Sequence, residues 1–202
     1  MAHAAEADHG HAQTSDKAGH GEKQSDKVVA LLISVLTLFL AFSETLGSAN
    51  QTSALSYNVE ASDLWAFYQA KTIRKVTLRT AAEALQLDLN ATGDATAKAA
   101  MQKRIDGWLK DAARYESEPS SNEGAKELEV RAEEAEHKRD TALAAYHHYE
   151  IASAALSIGI VLGAATVITG MMVLAYVAGA LGIVGLAFMA IGLFAPHAVH
   201  LF

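Results

Sequence analysis

The 202-residue chain lacks several residue types and motifs that enzymes and nucleic-acid-binding proteins use. It has no cysteine, which excludes disulfides, thiolate nucleophiles and cysteine metal sites. Its net charge of −7 comes without a basic block, which argues against nucleic acid as a partner. No glycine-rich phosphate loop or GxSxG turn occurs. We therefore expect no catalytic residues and no cofactor.

Charged residues are also missing from two long stretches. No Asp, Glu, Lys or Arg follows Glu150, and none lies between Lys27 and Glu44. A membrane-crossing helix needs about 20 apolar residues. The apolar stretches predict three transmembrane helices, at residues 28–47, 151–169 and 171–195.

The ends and turns of these spans follow from particular residues. Gly170 suits a tight helical hairpin, because glycine tolerates the backbone angles such a turn needs. Pro196 ends the last span and leaves a C-terminal tail at 196–202. The first stretch could also be a cleaved signal, but it exceeds the usual length of about 7–15 apolar residues, which favours an uncleaved anchor. Before it, residues 1–27 are polar and contain histidine, which predicts a flexible tail.

Residues 48–150 carry most of the charge and predict an extramembrane segment of three helices. A polar break at 47–56 precedes the first helix, which extends from about residue 58 to 90. Asp94 is the expected N-cap of the second helix. The second helix has an apolar stripe with spacings of three and four, formed by Ala97, Met101, Ile105, Trp108, Ala112 and Tyr115.

The third helix is predicted to run unbroken from about Ser121 into the second span. Ser120 and Glu123 fit a capping box at its start. Its heptad-like seam comprises Leu128, Ala132, Ala135, Arg139, Ala142, Tyr146 and Tyr149. The sequence thus predicts an all-α membrane protein with three transmembrane helices and a coiled-coil-like extramembrane segment between the first and second.

Two runs of residues resemble a known family. The first is NVEASDLWAFYQAKTIR at 58–74, and the second is YHHYEIASAALSIGIVLGAATVIT at 146–169. Both are similar to an uncharacterised bacterial multi-pass membrane family, domain of unknown function 4337, over about residues 28–193. The resemblance implies a bacterial membrane protein and supplies no activity.

The first run contains an aromatic cluster with two interpretations. Trp65 and Tyr68 could form a ligand or partner shelf, with Gln69 and Lys71 as polar handles. Alternatively, the aromatic residues lie at the headgroup level and pack on Tyr146 and Tyr149 of the third helix. The second interpretation is favoured, because aromatic residues are common at membrane interfaces.

Histidine, a common ligand of Zn, Cu and Ni, occurs in small groups. His147 and His148 adjoin the second span, and His197 and His200 lie near the C-terminus. With three spans, the C-terminus and the 48–150 segment lie on one side, so these four residues could meet. They are candidate metal ligands, although a fixed site needs three or four converging donors.

Small residues within the spans predict close helix packing. Gly159 and Gly163 form a GxxxG, and Ala175 and Gly179 repeat the spacing. Such motifs join helices of two copies or helices of one chain, and both interpretations stay open.

Together, these features predict a non-enzymatic, multi-pass protein of the bacterial inner membrane. It would act as a structural or accessory protein, or as a self-assembling scaffold, through helix packing. Its expected partners are the lipid bilayer and either its own copies or a membrane complex. The alternative is a metal-binding or metal-sensing accessory protein. The greater number of basic residues on the 48–150 segment favours a cytoplasmic location for it.

Overall fold

A computed structural model describes the backbone of residues 12–198 and the side chains from residue 26 onward. It contains four helices, α1 (Ala12–Ala91), α2 (Ala95–Glu116), α3 (Ala125–Thr169) and α4 (Met172–Phe194). No strand occurs between residues 12 and 198. Parts of α1, α3 and α4 are long and apolar enough to cross a membrane. The predicted all-α membrane fold is confirmed.

The chain forms two compact units. The first comprises residues up to Asn50 and from Ala144 onward, and the second comprises Gln51–Leu143. Helices α1 and α3 each contribute to both units. The second unit lies within the segment predicted to be extramembrane.

Helix α1 is longer than the sequence predicted. It begins at Ala12, inside the stretch expected to be a flexible tail, and residues 1–11 lie outside the described part. The polar break predicted at 47–56 is wrong, because α1 continues through it. Asn50 donates its side-chain amide to the Leu46 carbonyl at 2.8 Å. Gly47 is buried, and a Cβ there would lie 3.4 Å from Cβ of Tyr149. Tertiary packing thus sustains a helix that local polarity disfavours.

Helix α2 agrees with its predicted cap and buried face. The Asp94 side chain accepts a hydrogen bond from the Thr96 backbone N–H at 2.9 Å. Ile105 and Ala112 are buried at the centre of the predicted stripe. Both predictions are confirmed.

The start of α3 differs from the predicted capping box. The helix begins at Ala125 rather than near Ser121, and Asn122 has a left-handed φ of 56°. The Leu128 N–H donates to the Gly124 carbonyl at 2.9 Å, which sets the first helical turn. A Cβ on Gly124 would overlap the Glu118 backbone nitrogen. The tight turn therefore delays the helix, and Ser120 is exposed instead of capping it.

The turn between α3 and α4 agrees with the sequence prediction. Helix α3 ends at Thr169, and Gly170 adopts a φ of 70°. Side chains rarely adopt this angle, so Gly170 permits the short hairpin.

Candidate assembly surface

The core of the second unit is built from small residues on α1 and α3. Ala61 and Leu64 of α1 cluster with three buried residues of α3, Leu128, Ala132 and Ala135. Alanine at these positions lets the two helices approach closely. The first three residues of the predicted α3 seam therefore lie in a core within one chain.

Trp65 and Tyr68 pack against this core. Their rings meet edge to face with centroids 5.4 Å apart. Trp65 Nε1 donates a hydrogen bond to Glu136 Oε1 at 3.0 Å. The indole N–H thus has a hydrogen-bond partner while the ring packs against the core. The aromatic cluster is a structural element rather than an open ligand shelf.

The prediction that this aromatic cluster packs on Tyr146 and Tyr149 is wrong. Tyr149 is buried in the first unit, where its backbone carbonyl accepts a hydrogen bond from Ser43 Oγ at 3.0 Å. The ring of Tyr146 lies 5.5 Å from that of its neighbour His147. The antiparallel register of α1 and α3 explains this, because it places Trp65 beside Glu136.

Lys71 is buried, with 5% of its surface exposed. Its Nζ lies 5.1 Å from the ring centre of Phe67 and 5.5 Å from that of Tyr115. A Glu123 carboxylate oxygen lies 3.8 Å away as its counter-charge. Burial between two rings and a carboxylate makes Lys71 a structural cation that joins α1 to α2, not an accessible handle.

Glu116 anchors further cations of the second unit. Its carboxylate lies 2.8 Å from Arg79, 3.7 Å from Lys75 and 3.9 Å from Lys126. These partners lie on α1 and α3, whereas Glu116 ends α2. The cluster therefore ties three helices together, although each partly exposed pair contributes little energy by itself.

Helix α1 presents a second apolar face, which we call the α1 outer face. Its members follow one another at intervals of three or four residues, are all exposed and carry no charge: Leu55, Val59, Ser62, Ala66, Gln69, Ile73, Val76, Thr80, Ala84 and Leu87. At 3.6 residues per turn, Leu55 and Ile73 point about 180° away from Leu64 and Ala82 of the core. The helix thus has a buried face and an uncovered apolar face on opposite sides.

The apolar members of the α1 outer face are strongly exposed. The exposed fraction is 65% for Leu55, 65% for Ile73 and 72% for Leu87. Val59 and Val76 are also exposed, and Gln69 lies between these two valines on the same face. Among the predicted site residues, Gln69 alone belongs to this surface.

Two glycines of α3 in the first unit pack against other helices of the same chain. A Cβ on Gly159 would lie 3.2 Å from the Ala178 carbonyl oxygen and 3.3 Å from Leu36 Cδ1. A Cβ on Gly163 would lie 2.8 Å from Ile33 Cγ1. Both glycines are buried. Of the two interpretations, the structure therefore supports packing between helices of one chain.

The candidate metal ligands His147 and His148 have different surroundings. His148 is fully buried, its Nε2 lies 3.0 Å from the Pro196 carbonyl oxygen, and its ring stacks on Phe188. His147 Nδ1 lies 3.6 Å from Glu150. His200 lies outside the described residues. Within residues 26–198, no three His, Asp or Glu side chains come together as a metal site.

A protein-family model described as a domain of unknown function, DUF4337, matches residues 25–195. The chain belongs to the DUF4337 family. No curated protein and no solved structure matches it. The family match includes both units and the α1 outer face, and it leaves out most of the N-terminal segment.

Sequence reasoning missed the outer face of this DUF4337 protein. The aromatic residues are the conspicuous feature of the motif, and they pack inside. The available signal was the uncharged helical stripe from residue 55 to 87 in a segment that is otherwise rich in charge. In a helix with one buried face, a second uncharged face indicates a further contact.

Proposed function

We propose that this DUF4337 protein is a non-enzymatic membrane scaffold that assembles with other protein chains through the α1 outer face. The single observation that carries the proposal is the exposure of an uncharged apolar stripe opposite the buried face of α1. Exposed apolar patches on otherwise charged proteins mark interaction sites. A contact with protein would remove Leu55, Ile73 and Leu87 from water.

The polar residues of the second unit support a structural role. Trp65 binds Glu136, Lys71 lies between two rings and beside Glu123, and Glu116 faces three cations. These arrangements stabilise contacts between helices.

The continuity of α1 supports a membrane-tethered mode of action. The same helix contains the apolar stretch after Lys27 and the outer face that follows Leu55. A partner bound to that face would be held near the bilayer. We propose that the protein lies in the bacterial inner membrane. Three helices that are long and apolar enough to cross a membrane support a membrane location.

Composition analysis of the native assembly tests this function. The full chain would be purified gently from its own membrane, and every co-purifying protein would be quantified. The proposal expects either more than one copy of this chain or a stoichiometric second subunit. Recovery as a single chain, both before and after chemical cross-linking in the membrane, would overturn it.

A further inference from the structure

We propose that the α1 outer face binds the same face of a second copy, with the two α1 helices parallel and in register. This inference rests on the scaffold function and names its partner. Leu55, Ile73 and Leu87 of one copy would each meet their own counterpart. The result is a two-stranded helical pair that lies outside the membrane.

Membrane orientation favours this arrangement. Copies inserted in one membrane share the same orientation, so a two-fold axis that relates them runs along the membrane normal. Such an axis makes an interface from one self-complementary patch. We take this axis to run along the α1 outer face, so that α1 pairs with α1 in the parallel sense.

The chemistry of the stripe suits contact with itself. Like residues meet in a parallel in-register pair, so any charged member would face its own charge. The α1 outer face has no charged member over residues 55–87. The helix nevertheless carries charge elsewhere in this range, at Glu60, Asp63 and Arg74 for example. Charged side chains are therefore absent from the positions at which self-pairing would bring like charges together.

The spacing also suits a helical pair. Members from Leu55 to Thr80 alternate at four and three residues, which is the spacing that two-stranded coiled coils use. In heptad notation, Val59 and Ile73 occupy a positions, where β-branched residues favour two-stranded coiled coils. The stripe is about 48 Å long at 1.5 Å per residue.

Gln69 would set the register. It lies within the stripe between Val59 and Val76 and is exposed in the single chain. A glutamine amide has both donor and acceptor atoms. The Gln69 amides of two facing copies would therefore form hydrogen bonds with each other. Of the three polar members of the stripe, Ser62, Gln69 and Thr80, only Gln69 has an amide, and a buried amide in an apolar seam specifies register and strand number.

Single-cysteine cross-linking of the full-length protein in its native membrane tests the proposal. The chain has no cysteine, so each introduced thiol is unique. Ile73→Cys lies on the stripe, and Arg74→Cys is an exposed neighbour off it. Paired seam positions meet the short Cα separation that a disulfide needs, so we expect roughly tenfold more dimer from Ile73→Cys. Equal yields, or dimer from Arg74→Cys alone, would overturn the proposal.

A second measurement tests the role of Gln69. Gln69→Lys in the Ile73→Cys background places two ammonium groups in contact, so the disulfide-linked dimer should fall several-fold. Helical content should stay unchanged, because Gln69 is exposed in the single chain. Undiminished cross-linking would refute the register. A stoichiometric foreign subunit without the Ile73→Cys dimer would refute self-pairing while leaving the scaffold function intact.

Discussion

At the residue scale, the first unit depends on glycines that admit neighbouring side chains. Gly163 faces Ile33, whereas Gly182 faces Leu36. Gly179 has open space where a Cβ would extend. The chain therefore contains a packed glycine and an unpacked glycine in apolar helices, which makes a controlled comparison possible.

Gly163→Leu should destabilise the protein by about 2 kcal/mol, because the added side chain collides with Ile33. Thermal unfolding in detergent would measure the effect. Gly179→Leu is the matched control and should leave the melting temperature nearly unchanged. Oligomer mass should be the same in both variants, since Gly163 packs within one chain. A loss of oligomer mass in folded Gly163→Leu would contradict this assignment.

Glu127 gives a prediction about pH. The hydrogen bond from Ser117 Oγ, at 2.6 Å, lowers the pKa of Glu127 below its ordinary value of 4.5, and the Glu118 N–H adds to this. A lowered folded-state pKa contributes stability above the unfolded value, and that stability is lost as pH falls through the folded value. Ser117→Ala should thus destabilise the protein at neutral pH.

The difference between wild type and Ser117→Ala should shrink as pH falls below 4.5. Unfolding by urea, followed by circular dichroism at several pH values, measures it. Ser120→Ala is the control, because Ser120 is exposed and the helix starts beyond it. A difference that does not vary with pH would show that Glu127 is not the group involved.

At the scale of elements, α1 and α2 show what sequence can and cannot predict. Asp94 and the α2 stripe were predictable because caps and helical periodicity are local. The continuity of α1 past Gly47 was not, because it depends on packing against Tyr149. The partner of Trp65 also escaped prediction, since register is set by contacts between residues distant in sequence.

Lys71 tests how α1 is held to α2. Lys71→Ala removes the cation between the Phe67 and Tyr115 rings and leaves a gap, so it should destabilise the protein by about 2 kcal/mol. Lys98→Ala, at an exposed position of α2, should change stability little. Thermal unfolding of both variants provides the comparison. Equal melting temperatures would contradict the structural role of Lys71.

At the scale of the whole molecule, one face of α1 is buried and the opposite face is exposed. Leu64 and Ala82 are buried in the chain's own core, whereas Ile73 and Leu87 are exposed on the opposite side. A charge at Ile73 should therefore spare folding and prevent association. Under the proposal of self-pairing, the outer face of a second copy would cover the residues that a single folded chain leaves exposed.

The most direct test is the native mass of the detergent-extracted protein, compared among wild type, Ile73→Glu and Arg74→Glu. The account predicts two chains for wild type and for Arg74→Glu, and one chain for Ile73→Glu. All three proteins should have the same helical content. A wild-type mass of one chain, or an Ile73→Glu mass equal to that of wild type, would contradict assembly through the α1 outer face.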